Sequence, residues 1–204
     1  MSQQTLKQSD KKRAAILQAA REEFLTQGFR NTSMDQVAER ADVSKRTVYN
    51  HFENKEALFR AVSVGLITEA KALPVEYDSE APLSEQLLDL ANREVNILTS
   101  ETYISASRAI LVESFELPGI VEQIAKEIPA GQDPVENWIT AATDDGRLNC
   151  DDVKQATRHF YTLFKGVFFW PVITGVCTAP QGTEQQRYIE NTIEMFLSYY
   201  STSR

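Results

Sequence analysis

Cysteine is nearly absent from this chain: two in 204 residues, Cys150 and Cys177, far apart and with no Cys-x-x-Cys or Cys/His spacing around them. A disulfide framework needs denser cysteine than this. Histidine is as scarce, with His51 and His159 alone, so a zinc site has no ligand set and no metal or cofactor is expected. Glycine and proline are few, at 8 and 7, and no low-complexity tract or internal repeat is present. Apolar runs are short. The longest, Val167 to Cys177, contains Pro171 and is too brief to span a bilayer. The first residues, MSQQTLKQSD, have no apolar stretch of the kind a secretory signal needs. A soluble cytoplasmic protein with no membrane partner is the expectation. A Gly-rich phosphate loop and a Ser/His/Asp or Cys/His constellation are also missing at sequence level, so an enzyme is not expected.

Charge is present but unevenly placed. The whole chain carries 21 Lys+Arg against 29 Asp+Glu, a net −8. Residues 1–60 alone hold 11 basic and 8 acidic side chains, a balance of +3, which leaves −11 for the rest. The first sixty residues can approach a polyanion that the remainder would repel. A nucleoid-type coating protein fits this division poorly, because its acidic body would lie beside phosphates.

Hydrophobic spacing is helical throughout. From Ser9 or Asp10, Ile16, Leu17, Ala20, Phe24 and Leu25 share one face, and Gly28 offers a left-handed stop. In NTSMDQVAERA a capping box is made either by Thr32 with Asp35 or by Ser33 with Gln36, ahead of a narrow stripe of Met34, Val37, Ala38 and Ala41. Asp42-Val43-Ser44 breaks this second helix after about two turns. Ser44 caps a third, short helix whose Val48 and Phe52 point inward, and Asn54 caps a fourth that runs to Pro74. Two short helices joined by a tight turn and braced by longer ones describe a helix-turn-helix over roughly residues 33–50. The major groove, about 12 Å wide, accepts one such helix. With Val48 and Phe52 as a rear anchor, Lys45, Arg46, Thr47, Tyr49 and Asn50 are left as outward hydrogen-bonding groups. Phe24, Phe29, Phe52 and Phe59 are read as core.

After Pro74 the pattern stays helical. Pro82 occupies a first helical position before Leu83, Leu87, Leu90, Val95 and Leu98, and a further helix covers about Glu101 to Phe115. A short one follows Pro118 with Ile120, Ile124 and Ile128. Asp133-Pro134 opens another, carrying Trp138 and Ile139. Asp151 begins a long aromatic helix, VKQATRHFYTLFKGVFFWPVITG, in which Phe160, Leu163, Phe164, Val167, Phe168, Phe169 and Trp170 nearly encircle the axis. That pattern calls for burial on two sides. The last helix spans about Thr183 to Ser201. The fold class is all-α.

The stretch AAILQAAREEFLTQGFRNTSMDQVAERADVSKRTVYNHFENKEALFRAV resembles the DNA-binding domain of the TetR family of transcriptional regulators. It carries Phe-x-x-x-Gly-Phe at the end of the first helix, Thr-Ser before the second, Val-Ser in the turn, Tyr-x-x-Phe, and Lys-Glu-x-Leu opening the fourth helix. Two positions depart from the pattern. Asp42 stands where the family usually has Gly, and Arg46 where a small residue is common. The resemblance implies a three-helix DNA-binding domain over residues 9–55 and a helical effector-binding and dimerisation domain over 56–204. It implies that Thr32 and Ser33 hold one phosphate, and that Tyr49, His51 and Lys55 grip the backbone across the groove. Lys45, Arg46 and Thr47 would then read base edges, beside Ser44 and Asn50 on the same element. A homodimer through helices about 152–175 and 183–202 would present two heads about 34–36 Å apart to a palindromic operator in double-stranded DNA. A small-molecule effector would release the operator from a cavity, for which Tyr103, Arg108, Glu113, Trp138, His159 and Phe164 are the candidate lining. The alternatives are an activator, a DNA binder without effector, or an enzyme housed in the body.

Overall fold

The structure, a computed structural model, describes residues 3–71, 75–129, 131 and 133–202. Among these residues eleven helices are formed: α1 (Gln3–Asn31), α2 (Met34–Arg40), α3 (Lys45–His51), α4 (Lys55–Lys71), α5 (Leu83–Thr99), α6 (Glu101–Glu116), α7 (Ile120–Glu127), α8 (Pro134–Asp144), α9 (Val153–Phe168), α10 (Trp170–Ile173) and α11 (Gly182–Tyr200). Within the same residues β pairing is limited to an isolated bridge between Leu148 and Ser201. Pro74, expected to close the fourth helix, lies outside the described residues. Pro82 sits one position earlier than expected, as the N-cap of α5.

By packing, the chain divides into two compact units. One comprises Met1–Glu69 and Ser105–Ile128, the other Ala70–Ile104 and Pro129–Arg204. The first is organised around a continuous apolar cluster: Ile16, Ala20 and Phe24 of α1, Val37 of α2, Val48 of α3, Leu58, Phe59 and Val62 of α4, and Ile120 and Ile124 of α7. Phe24, Phe29 and Phe59 form a ring triad with centroids 5.0–5.8 Å apart. Such pairs contribute roughly 0.5–1.5 kcal/mol each beyond their buried area. α4 thus shares one apolar cluster with α1, α2 and α3.

In the second unit α5 buries Leu87, Leu90, Ala91, Val95 and Leu98, a three-and-four spacing that makes one stripe. That stripe lies against α9 and α11, and α8 packs on α9 with Trp138, Ile139 and Ala142 inward. Two expectations for the aromatic helix are corrected here. It does not run to residue 175: α9 ends at Phe168, Phe169 takes φ −117° and ψ −65°, and a short α10 restarts with Pro171 in its first turn. Proline has no N–H to donate and its ring crowds the carbonyl four residues back, so it is tolerated there and not in a continuous helix. Nor is α9 encircled by buried aromatics. Phe160, Phe164 and Phe168, at four-residue spacing, are buried, whereas Arg158, His159 and Thr162 face outward and Trp170 is half exposed.

Candidate nucleic-acid interface

Local sequence explains how α2 and α3 are set. Ser33 is the N-cap of α2 and makes the capping box with Gln36: its hydroxyl accepts from the Gln36 amide N–H at 3.2 Å, and its own N–H donates to Gln36 Oε1 at 2.7 Å. The Thr32–Asp35 alternative is not formed. The outer face of α2 is tied back to α1 by Arg40, whose guanidinium donates to Glu23 and Glu22. Glu23 is buried and also accepts from Gln27 at 2.6 Å. The pair with Glu23, more than that with Glu22, holds the Arg40 pKa above its ordinary value.

The turn between the helices is a Schellman ending. Asp42 N–H donates to Glu39 O at 3.2 Å and Val43 N–H to Ala38 O at 3.0 Å, with Asp42 itself at φ 51°. That left-handed conformation favours glycine, and aspartate is among the residues that visit it most readily. Asp42 therefore fills the family's usual glycine position with the turn intact. Ser44 then caps α3 by accepting from Thr47 N–H at 3.2 Å, and its hydroxyl lies 2.8 Å from that of Thr47.

α3 turns Val48 fully inward, and Phe52 follows it into the core. The opposite face presents Lys45, Arg46, Tyr49 and Asn50 to solvent, while Thr47 and His51 are half-buried. Lys45 is paired with Asp35 of α2 at 2.8 Å, and this hydrogen bond raises its pKa. Arg46 makes no ion pair among the described residues. The result is a short, rigidly backed element with charged and amide donors at one end, a geometry that can enter a groove and hydrogen-bond to base edges and phosphates.

Two of the residues assigned to phosphate are differently occupied. Thr32 is buried; its hydroxyl donates to Gly28 O at 2.9 Å and its N–H to Phe29 O at 3.3 Å. The Lys55 amine donates to three carbonyls, those of Phe29 (2.8 Å), Thr32 (3.0 Å) and Arg30 (3.2 Å). The composition of the segment gave no signal for this, because the carbonyls belong to the backbone 23–26 residues earlier.

The six cavity candidates are spread over both units. Tyr103, Trp138, His159 and Phe164 belong to the second, Arg108 and Glu113 to the first. Trp138 and Phe164 are fully buried packing residues. The indole N–H of Trp138 donates to Gln86 Oε1 at 3.0 Å, and its ring meets Tyr77 edge-on at 5.9 Å. Tyr103 lies against Phe169 at 5.9 Å. His159 Nδ1 is 2.7 Å from the Tyr200 hydroxyl and borders a hollow of about 410 Å³ between α9 and α11, lined also by Leu163, Met195 and Tyr199. Glu113 is only 4% exposed. Sequence reading missed a polar group in the second unit: the Tyr161 hydroxyl donates to Asp133 Oδ1 at 2.8 Å, the same atom that caps α8. Burial first, then the nearby Asp133 and Glu94 carboxylates, pushes the Tyr161 hydroxyl well above its usual range. Its place between Phe160 and Leu163 in an aromatic run disguised it as core.

A compact head with this capped helix–turn–helix belongs to the class of helix-turn-helix regulators. Comparison with known proteins agrees. Residues 16–62 match the family described as bacterial regulatory proteins, tetR family, and residues 85–202 match the AefR-like transcriptional repressor C-terminal domain. Among solved structures, a TetR family transcriptional regulator from Pseudomonas syringae pv. tomato is 36% identical with a TM-score of 0.75, covering 95% of this chain and 98% of its own. The flavonoid-responsive regulator FrrA is 28% identical with a TM-score of 0.77, with the same coverage. The transcriptional regulator RutR of Escherichia coli is 28% identical over 142 residues, which is 67% of this chain and 64%, just under two thirds, of RutR. The chain belongs to the TetR family of transcriptional regulators.

Proposed function

We propose that this protein is a cytoplasmic homodimeric repressor that holds a palindromic operator through α3 of each head and releases it when a small molecule binds the helical body. The observation that carries the DNA reading is the two-sidedness of α3: a fully buried Val48 behind, and an exposed Lys45–Arg46–Tyr49–Asn50 surface in front. Lys45, Arg46 and Thr47 read base edges. Ser33 and Ser44 at the helix starts, with Tyr49, Asn50 and His51, hold the phosphates on either side. Thr32 and Lys55 leave this set because their donors are spent inside the protein. The dimer forms through α9 and α11, where Met195 and the three-quarters exposed Tyr199 lie beside the α9–α11 hollow. An unpaired apolar face of this kind on two adjacent helices favours a second copy.

The effector reading is supported by the aromatic content of the body and by the likeness to FrrA, whose name calls it flavonoid-responsive. A flat aromatic molecule suits the aromatic side chains of the second unit, Tyr103 and Phe169 among them. To reverse occupancy such a ligand must prefer the released state by about 5.5 kcal/mol. Selection of binding sites from random duplex DNA by the purified protein tests the proposal. A recovered inverted repeat establishes the reading head and the dimer together, and recovery of no preferred sequence refutes both. Release of that duplex by members of a flavonoid panel, and not by aliphatic acids, tests the effector class.

A further inference from the structure

We propose that Lys55 is a positioning residue: its ammonium is an internal cap on the end of α1 that fixes where α2 and α3 are presented, and it does not touch phosphate. This rests on the DNA-binding reading above. An ammonium has three N–H donors and no acceptor. All three acceptors needed to satisfy it are present at 2.8, 3.0 and 3.2 Å, the carbonyls of Phe29, Thr32 and Arg30. The charge also sits 4.4 Å from the Phe29 ring centroid, and Phe29 is itself buried in the aromatic triad. A phosphate contact would have to break one of these bonds.

The need for such a cap is set by Gly28. At φ 77° and ψ 164° it interrupts α1, and the carbonyls of the turn that follows belong to the last residues of a helix, which have no donor further along it. Among backbone donors, Phe29 O receives only the long 3.3 Å bond from the Thr32 N–H. Carbonyls at a helix C-terminus carry partial negative charge, and a cation there is favoured. Lys55 stands in the first turn of α4, where a cation opposes that helix's own dipole. Serving the end of α1 removes the contradiction. The turn it closes leads directly into Ser33, the N-cap of α2, and α2 supports α3 through the Schellman turn and the Lys45–Asp35 pair. A displaced 29–32 turn therefore displaces the reading helix.

The test has two arms. Intact protein is treated with trace acetic anhydride, alone and with a duplex recovered by selection. An internal cap makes Lys55 far slower to acetylate than the exposed Lys11 and Lys12 in both samples. Ready acetylation in the free protein with protection by the duplex overturns the proposal. In the second arm Lys55→Met is compared with wild type by thermal melting and by affinity for the selected duplex and a scrambled one across a salt series. The expected result is a melting temperature lower by about 3–10 °C. The ratio of specific to non-specific affinity falls at least several-fold while the slope of log K against log salt is unchanged. A slope reduced by about 0.9 with the ratio preserved assigns Lys55 to phosphate and refutes the cap. A lowered melting temperature with affinity and ratio both intact reduces it to a purely structural lysine, which also refutes positioning. If Lys55→Met does not fold, the acetylation arm decides alone. Absence of sequence preference in the wild type counts against the DNA reading and leaves the free-protein acetylation result standing.

Discussion

Replacing Asp35 with asparagine removes one carboxylate from beside the exposed end of α3, the surface proposed to meet DNA. In the free protein that carboxylate holds the Lys45 ammonium at 2.8–2.9 Å through both oxygens. Both side chains are more than half exposed, so water screens the pair and its loss leaves fold stability nearly unchanged. For DNA the consequence is larger. Lys45 is shared between Asp35 and the polyanion in wild type and is wholly available in Asp35→Asn. A full positive charge brought into the groove neutralises phosphate charge even where it also reaches a base edge, and so steepens the dependence of log K on log salt by up to about 0.9. Between 50 and 200 mM salt the mutant's advantage over wild type should therefore shrink by up to about 3.5-fold, from a clear gain at the lower concentration. Fluorescence anisotropy of a labelled selected duplex, measured at four or five potassium chloride concentrations, gives the slope directly. Repeating the series in a Lys45→Ala background closes a double-mutant cycle, and there the gain should vanish. A slope no steeper than wild type, or one that steepens equally without Lys45, would refute the idea that Asp35 governs how much of that cation reaches DNA.

Arg46→Ala should lose about 10- to 100-fold discrimination at one base-pair position, read by competition among single-base variants of the operator; equal loss on all of them removes its reading role. Val48→Ala deletes two methyl-sized groups from a fully buried site and should destabilise the protein by about 2 kcal/mol in a denaturant melt, since transfer and cavity terms add. Gln86→Leu takes the acceptor from the Trp138 indole and from the Asp78 N–H, and should cost about 2–4 kcal/mol with a shifted Trp138 emission. A stability loss under 0.5 kcal/mol would show that this strap of the 75–82 segment is not under load. Met195→Lys with Tyr199→Lys places like charges on the α11 face, and sedimentation should show monomers at micromolar concentration. A persistent dimer would move the interface elsewhere.

Much of the head was legible because its signals are local. The capping residues Ser33 and Ser44 and the interruption at Gly28 act through backbone groups two to five residues away, so spacing alone displays them, whereas Asp42 entered through the family pattern. The start expected at Ser9 or Asp10 is corrected, because α1 is already helical from Gln3 and continues past Gly28 to Asn31. The inward set Phe24, Val48, Phe52 and Phe59 followed from helical periodicity for the same reason. In the body the order of helices was legible too, while the end of α9 was misplaced. Seven apolar side chains in eleven residues hid the break at Phe169, although Pro171 marked it.

Side-chain roles that depend on distant partners were decided by the tertiary structure. Lys55 and Thr32 have the residue types of phosphate ligands, and a donor binds whichever acceptor the fold brings near. Here these are carbonyls of the Gly28–Thr32 turn, outside any window of helical spacing. Trp138 reads as a candidate cavity residue and Tyr161 gives no signal of its own until Gln86 and Asp133 are placed against their polar atoms. Local hydrogen bonds and a 3.6-residue period are properties of consecutive residues, and so the sequence by itself determined the helices, the turn and the family. Which donor meets which acceptor is a property of packing among helices far apart in the chain, and that the folded molecule alone decided.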